Sequence, residues 1–185
     1  FKATEGKVEL GKNVVVIGGG NTAMDTARAA KRNVGVEKVS LVYRRTRRYM
    51  PADEEELVMA VEDGVEFAEL LAPVKLENGV LYCKKMVLGD MDASGRRGVV
   101  ETDETVEVPA DTVIAAVGEK VPGAFYESFG IALDSRRRPQ VNQETLETSV
   151  KGVYVAGDGL YGPATVVEGI RDGKMAAEAI IGKAL

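Results

Sequence analysis

Apolar and polar positions in the first third of the chain follow two different periods. Val14–Ile17 is an uninterrupted apolar run, which is typical of a strand buried on both faces. A helical pattern follows a glycine-rich turn at once, with Ala23, Ala27 and Ala30 spaced along one face. A second strand is predicted over residues 38–43. The pattern therefore predicts a strand–turn–helix–strand unit at the start of an α/β domain.

The next predicted helix begins around residues 50–52 and ends at Gly64. Its first turn carries the acidic run Asp53–Glu56, near the positive end of the helix dipole. Consecutive helical side chains point in different directions, so this run favours dipole compensation over a metal site. The side chains predicted to form the buried stripe of this helix are Leu57, Val58 and Val61.

Short strands and turns dominate the chain after residue 65. The candidate strands are Val80–Leu88, Gly98–Glu101 and Thr105–Val108, with a hairpin turn at residues 92–95 and a return strand at Asp111–Val117. These spacings predict a small antiparallel meander in the place where a parallel α/β domain would use a later crossover helix.

A second strand–turn–helix pattern lies near the end of the chain. Val153–Ala156 is predicted as a strand that leads into Gly157 and Asp158, and a helix is predicted from Val166. A glycine lets the backbone approach a ligand, and a carboxylate accepts hydrogen bonds from the hydroxyl groups of a polyol. Free N–H groups near Thr165 and Val166 would suit a carbonyl with developing negative charge.

Composition excludes several kinds of chemistry. The chain has no histidine and a single cysteine, Cys83, so a Ser-His-Asp triad, a disulfide framework and an iron–sulfur set within the chain are excluded. A net charge of −5 argues against general nucleic-acid binding, and the apolar runs are too short for a membrane span. Without a signal peptide before the first strand, we expect a cytoplasmic protein, and the initial Phe1 favours a piece of something longer.

The glycine-rich turn carries the most specific signal. Gly18-x-Gly20-x-x-Ala23 follows a buried strand and opens a helix, which is the context that a dinucleotide-binding turn requires. Gly18 permits the tight turn, Gly20 leaves room for the pyrophosphate, and Ala23 lets the helix pack closely on the strand. The phosphates would then lie at the positive end of the helix.

An arginine-rich segment follows the second predicted strand. In a Rossmann unit this strand end faces the adenosine ribose, where an acidic residue binds the 2′-hydroxyl of NAD and arginines bind the 2′-phosphate of NADP. The segment Arg44–Arg48 contains four arginines, and we expect Arg44 and Arg45 to contact the phosphate. The sequence therefore favours NADPH.

Three segments together resemble a known family. They are residues 14–28 (VVVIGGGNTAMDTAR), 42–56 (VYRRTRRYMPADEEE) and 153–177 (VYVAGDGLYGPATVVEGIRDGKMAA). The combination resembles the NAD(P)H-dependent FAD and iron–sulfur oxidoreductases that include the glutamate synthase small subunit and the N-terminal half of dihydropyrimidine dehydrogenase. The resemblance covers nearly the whole chain.

This resemblance implies two parts within the chain. Residues 1–121 would be a Rossmann-like NAD(P)H-binding domain of the glutathione- and thioredoxin-reductase-like type, with a parallel sheet, helices and an antiparallel meander. Residues 122–185 would be the C-terminal segment of an FAD-binding domain. The partners implied are the rest of that FAD domain and an iron–sulfur electron acceptor of the parent protein. Because the last helix has an apolar side, this C-terminal segment would be poorly ordered, packed back on the first domain, or buried in a homodimer. The residues of that side are Val166, Val167, Ile170, Ala177, Ile180 and Ile181.

The resemblance also implies a set of cofactor-binding residues and no catalytic side chain. NADPH would be bound by Gly18, Gly19, Gly20, Asn21, Thr22, Ala23, Arg44 and Arg45, and the remaining cofactor positions, chiefly for FAD, are Gly118, Gly157, Asp158, Thr165 and Val166. The function predicted is electron input from NADPH to FAD. The alternatives are a binding module that senses NADP(H) without chemistry, and a self-contained dehydrogenase, which the absence of histidine and of a suitable Tyr-x-x-x-Lys pair disfavours.

Overall fold

The computed structural model describes residues 8–91, 95 and 97–184. The chain divides into two compact units, Phe1–Val117 and Gly118–Leu185. The elements of the first unit are β1 (Asn13–Ile17), α1 (Asn21–Lys31), β2 (Lys38–Tyr43), α2 (Glu54–Glu62), β3 (Glu66–Glu69), β4 (Leu71–Glu77), β5 (Val80–Met91), β6 (Arg97–Pro109) and β7 (Thr112–Ala115). A single 3₁₀ turn, Arg47–Tyr49, lies between β2 and α2.

A parallel four-stranded sheet forms the centre of the first unit. Its strand order is β3-β2-β1-β7, and every neighbouring pair is parallel. Val14, Val15 and Val16 are almost fully buried, as expected for a strand with covered faces on both sides. The order of strands reverses at β1, since β2 and β3 lie on one side of it and β7 on the other. This confirms the predicted α/β fold with a parallel sheet.

Helix α1 packs on this sheet through small side chains. Ala23, Ala27 and Ala30 are all buried, together with Met24, which confirms the predicted face. Alanine at these positions lets the helix axis approach β1 closely. The N-terminus of α1 is therefore held directly beyond the end of the strand.

Helix α2 corrects one prediction. Leu57 is buried as expected, but Val58 and Val61 are 39% and 50% exposed, and the second buried position is Ala60. The helix has only 9 residues, and the row Leu57–Ala60, spaced i and i+3, is what reaches the core. The helix ends as predicted at Gly64, whose N–H donates to Val61 O while Val65 N–H donates to Ala60 O, a Schellman ending.

The predicted antiparallel meander is present as the sheet β4-β5-β6. Two candidate strands, Gly98–Glu101 and Thr105–Val108, are parts of a single strand, β6, so their separation was wrong. The polar residues between them lie where the register shifts opposite Lys84–Met86, and Thr102 Oγ1 donates to Lys85 O there. A bulge of this kind accommodates polar residues without ending the strand.

The turn predicted at residues 92–95 falls mostly outside the described residues, since only residue 95 of it is described. Residues on either side pair in an antiparallel register, Met91 with Arg97. Cys83 on β5 is fully buried, and burial raises the pKa of its thiol, so it is a core side chain.

The return strand β7, Thr112–Ala115, is shorter than the predicted Asp111–Val117. Asp111 lies just before the strand and binds the start of β1 through its side chain. Its Oδ2 accepts hydrogen bonds from the backbone N–H groups of Lys12 (2.9 Å) and Asn13 (2.7 Å). These bonds join the beginnings of β1 and β7. They also hold the pKa of Asp111 below its ordinary value of 3.8, the bond from Asn13 N–H having the largest effect.

We expect the Asp111 carboxylate to stabilise the fold in a pH-dependent way. Since its pKa is lowered by folding, the contribution is complete above pH 3.8 and is lost as the pH falls below 3.8 towards the folded-state value. The free energy of unfolding in urea should therefore be lower for Asp111→Asn than for the wild type at pH 6, and the difference should shrink at pH 3. Asp103→Asn, at an exposed position of β6, is the control. A constant difference at both pH values would contradict this.

The second unit contains α3 (Gly123–Glu127), α4 (Asp158–Tyr161) and α5 (Val166–Ala184) around a small core of Leu146, Leu160 and Ala176. The helix predicted from Val166 is confirmed. The strand predicted at Val153–Ala156 is replaced by an isolated antiparallel bridge between Glu147 and Tyr154. Thr148 N–H donates to Val153 O at 2.8 Å and Val155 N–H donates to Leu146 O at 3.1 Å, so the pairing covers a few residues and does not extend into a ladder.

The predicted apolar side of α5 is largely exposed. Val166 and Val167 are 79% and 75% exposed, and Ile170, Ile180 and Ile181 are about half exposed or more. A continuous exposed apolar face of this kind is typical of an interaction surface. Its burial in a homodimer stays a prediction. No helix in the described residues is long and apolar enough to cross a membrane.

Candidate dinucleotide-binding site

The glycine loop lies between β1 and α1, at the carboxyl end of the central strand. Gly18 N–H donates to Val42 O at 3.1 Å, so the loop begins against the end of β2. A Cβ added at Gly18 would lie within 3.0 Å of both the Ala116 carbonyl oxygen and the Ala23 Cβ. The backbone can pass between these groups only because Gly18 has no side chain.

The second glycine of the loop packs against the segment that follows β2. A Cβ at Gly19 would collide with the ring of Tyr43, whose hydroxyl donates to Tyr49 O at 2.8 Å. Ala52 N–H donates to Gly19 O at 3.0 Å. The loop is therefore bound to residues 49–52 as well as to the sheet.

Gly20 is the open position of the loop. Apart from its chain neighbours, no heavy atom of the described residues lies within 4 Å of the place where its Cβ would be. Gly20 is also the N-cap of α1, and no side chain caps this helix end. Its carbonyl accepts from Ala23 N–H at 2.9 Å, and Ala23 itself is buried. An accessible helix N-terminus beside an open glycine fits the pyrophosphate of a dinucleotide.

Asn21 and Thr22, the other two predicted phosphate contacts, form the first turn of α1 and are exposed. The Asn21 side chain is not turned to the open side. Its Nδ2 donates to Asp53 Oδ2 at 2.9 Å, and its Oδ1 accepts from Asp53 N–H at 2.9 Å. Thr22 O accepts from the Thr26 hydroxyl at 2.6 Å. The Asn21 side chain is therefore engaged with Asp53, and what Asn21 and Thr22 offer to a phosphate is their backbone N–H groups.

The four arginines after β2 have different surroundings. Arg44 is exposed, and its guanidinium contacts no acidic or carbonyl oxygen of the described residues. Arg45 Nε donates to Arg97 O at 3.0 Å, and Arg47 pairs with Glu54 at 2.8 Å. The Arg48 guanidinium lies 5.9 Å from the centre of the Tyr49 ring. Of the two predicted phosphate ligands, Arg44 is therefore more available than Arg45, whose Nε is already hydrogen-bonded.

A cleft of about 670 Å³ lies beside this segment. Its lining residues include Arg47 and Arg48 together with Asp53, Glu54 and Glu69. The cleft therefore offers donors for phosphate oxygens and acceptors for ribose hydroxyl groups.

The acidic run at the start of α2 points in several directions. Asp53 bonds Asn21, Glu54 pairs with Arg47, and a Glu56 oxygen lies 3.5 Å from Arg28 Nη1. Among the described residues, no group of three side chains is arranged to hold a metal ion.

In the second unit, a buried carboxylate holds the predicted Gly157–Asp158 turn. Gly157 N–H donates to Asp172 Oδ2 at 3.2 Å, and Asp172 is only 2% exposed. Arg171 donates to the other Asp172 oxygen at 2.8 Å, and Asp158 Oδ1 accepts from Ala164 N–H at 3.2 Å. Sequence reasoning missed Asp172, because it stands between Arg171 and Gly173 in a polar stretch of the helix, where nothing in the pattern indicates burial.

The predicted flavin contacts at the start of α5 include a capping box. Glu168 N–H donates to Thr165 Oγ1 at 3.3 Å, while Thr165 N–H donates to Glu168 Oε2 at 2.9 Å. The bond from Thr165 N–H holds the pKa of Glu168 below its usual range. The expectation of a free N–H at Thr165 is therefore wrong, because this N–H already donates a hydrogen bond to the Glu168 carboxylate. Val166 presents an exposed side chain at the first turn.

Gly118 begins the second unit directly after the end of the first. Its φ is +87°, and among the described residues only its chain neighbours come within 4 Å of its Cβ position. Pro122 follows as the N-cap of α3. This segment is the connection between the two units.

The fold and the glycine loop define a class of protein. A parallel sheet whose order reverses at β1, with the glycine loop at that point and an antiparallel three-stranded insert before the return strand, is the nucleotide domain of an oxidoreductase with two dinucleotide-binding domains. The chain belongs to the pyridine nucleotide-disulphide oxidoreductase family, whose model matches residues 2–173. This confirms the predicted class, a flavoprotein oxidoreductase family that uses NADPH and FAD.

Individual relatives agree with this assignment. The chain is 42% identical over 177 residues to Escherichia coli (strain K12) YgfK, covering 95% of this chain and 17% of that protein. It is 40% identical over 185 residues to the glutamate synthase (NADPH) small chain of Azospirillum brasilense, covering 92% and 36%. The chain thus spans well under half the length of these relatives, and the resemblance seen in the three sequence segments is confirmed.

A solved structure shows the same fold. Thioredoxin reductase from T. acidophilum superposes with a TM-score of 0.72 at 22% identity, covering 98% of this chain and 56% of that one. The predicted fold class is confirmed by this match.

Proposed function

We propose that the first unit binds NADPH and holds its nicotinamide for hydride transfer to FAD in a longer flavoprotein oxidoreductase. The observation that carries this proposal is the open glycine at Gly20, placed at the end of β1 where the strand order reverses and where α1 presents an uncapped N-terminus. Ligands of open α/β sheets bind at this position. The family match supports the same assignment.

The division of labour proposed within the chain follows the sequence-based boundaries. Residues 1–121 would bind NADPH, with the pyrophosphate on the loop from Gly18 to Ala23. Residues 122–185 would supply part of an FAD site through Gly157, Asp158, Thr165 and Val166, with Gly118 at the connection. FAD, when bound, would supply the redox chemistry by accepting a hydride.

The chain's own residues would contribute binding and orientation rather than proton transfer. We propose no catalytic side chain, because hydride transfer depends mainly on the positioning of two cofactors. In the whole protein, the rest of the FAD domain and an iron–sulfur centre would receive the electrons, and the location would be cytoplasmic. The name of one relative, the glutamate synthase (NADPH) small chain, supports NADPH as the electron donor.

The proposal predicts a nucleotide preference that depends on Arg44. Replacing Arg44 with alanine should weaken NADPH binding by about 1.5–3 kcal/mol, the worth of a hydrogen bond to a charged group, and leave NADH binding nearly unchanged. Arg45→Ala should have a smaller effect, because its Nε already bonds Arg97 O. Calorimetric titration of both nucleotides with each variant measures this.

Arg136→Ala, at an exposed position of the second unit, is the matched control and should bind both nucleotides like the wild type. Equal losses for NADPH and NADH in Arg44→Ala, or a wild-type preference for NADH, would contradict the assignment of the 2′-phosphate to this segment.

A further inference from the structure

We propose that Asn21 and Asp53 are positioning residues that fix the arginine segment, residues 44–48, relative to the glycine loop and so contribute to the choice of NADPH over NADH. This inference rests on the proposed function, since it concerns how the same site distinguishes its nucleotide. It assigns Asn21 a task other than the direct phosphate contact expected from the sequence.

The two side chains form a reciprocal pair between two helix ends. Asn21 is the first residue of α1, and Asp53 is the N-cap of α2. Asn21 Nδ2 donates to Asp53 Oδ2 and Asp53 N–H donates to Asn21 Oδ1, both at 2.9 Å. Because one bond uses the amide donor and the other the amide oxygen, only one orientation of the Asn21 side chain satisfies both.

The Asp53 side chain bonds Asn21 and does not cap the helix that Asp53 begins. An aspartate at an N-cap usually accepts a hydrogen bond from the second or third N–H group of the helix that it begins. Asp53 caps no N–H of α2, although its backbone has the extended conformation of an N-cap. Its carboxylate bonds a side chain 32 residues earlier instead. The pair therefore joins two parts of the domain at the cost of a local cap.

The arginine segment lies between anchored points. At one end, the Tyr43 hydroxyl donates to Tyr49 O, and the Tyr43 ring packs on Gly19. At the other end, Ala52 N–H donates to Gly19 O, and Asn21 bonds Asp53.

Other contacts of the arginine segment lead to β3 and α2, because Arg47 N–H donates to Glu69 and the Arg47 guanidinium pairs with Glu54. The bonds at residues 52 and 53, together with the bond from Tyr43 to Tyr49 O, tie the far end of the segment to the glycine loop. Nucleotide phosphates held on the loop and a 2′-phosphate held by the arginines must be bound at a set separation, and the pair fixes that separation.

Titration of NADPH and NADH with three variants tests the proposal. Asn21→Ala removes both hydrogen bonds and should reduce the preference for NADPH by about tenfold, while the Kd for NADH changes by less than about twofold. Asp53→Asn keeps both hydrogen bonds and should keep the preference. Asn33→Ala, near the other end of α1, should alter neither affinity.

Each other outcome overturns the inference. Equal losses for both nucleotides in Asn21→Ala would show that the side chain contacts the pyrophosphate directly. An unchanged preference in Asn21→Ala, or a preference lost in Asp53→Asn, would show that the hydrogen-bonded pair does not set it. A wild-type chain that binds neither nucleotide would overturn the proposed function as well, whereas a wild type that prefers NADPH leaves that function standing whatever the variants do.

Discussion

Replacing Gly20 with valine is expected to abolish the binding of NADPH and NADH while the first unit stays folded. The backbone at Gly20 has φ −99° and ψ 171°, an extended conformation that valine adopts readily. Apart from Gly20 and its chain neighbours, no atom of the described residues lies within 4 Å of the added Cβ. The new side chain would therefore begin in open space and would occupy the space proposed for the pyrophosphate.

The expected loss is at least about a hundredfold in Kd for both nucleotides, which corresponds to about 2.7 kcal/mol. Calorimetric titration measures the affinity, and urea unfolding shows that the fold is retained. Thr26→Val introduces the same side chain six residues further along α1, in its second turn, and should bind normally. A folded Gly20→Val variant that binds with wild-type affinity would show that the phosphates lie elsewhere.

Replacing Gly18 with alanine is expected to lower the stability of the first unit, whereas Gly20→Val is expected to affect binding and leave the fold intact. The added Cβ would lie within 3.0 Å of the Ala116 carbonyl oxygen and of the Ala23 Cβ. Both belong to packed backbone or core, so neither can move without disturbing β7 or α1. Overpacking of a rigid site costs about 1–3 kcal/mol, and strain in the loop adds to it.

Urea unfolding followed by circular dichroism measures this loss as a lower midpoint with an unchanged slope. Gly20→Ala is the matched control, since the same methyl group two residues later should change the free energy of unfolding by less than about 0.5 kcal/mol. A Gly18→Ala variant with the wild-type midpoint would contradict the packing described for the loop.

Local patterns predicted the elements whose residues carry their own periodicity. Strands β1 and β2 and the buried face of α1 follow from apolar runs and from the spacing of Ala23, Ala27 and Ala30. The errors arose where a neighbour decides the outcome. Val58 and Val61 have the right spacing for a stripe, but α2 turns the neighbouring row, Leu57 and Ala60, towards the core. The segment Val153–Ala156 has strand residues, but it pairs with residues 146–148 through one isolated bridge and not through a continuous ladder.

The candidate site, too, has parts that the local sequence predicts and parts that depend on contacts between distant residues. The glycine loop could be predicted because its function depends on residue types at fixed spacing. The pair Asn21–Asp53 and the bond from Asp172 to Gly157 N–H could not, because they join residues 32 and 15 positions apart whose proximity only the fold determines. The capping box of Thr165 and Glu168 was readable from its spacing and corrects the predicted free N–H.

The central claim is that the glycine loop binds the phosphates of NADPH, and amide chemical shifts test it most directly. A ¹⁵N-labelled sample of this 185-residue chain, titrated with NADPH, reports each backbone N–H separately. We expect saturable shifts that are largest for Gly20, Asn21 and Thr22, with a second group at Arg44–Arg48 that is weaker when NADH is used. Saturable shifts confined to other parts of the chain, or no saturable shift at all, would contradict the claim.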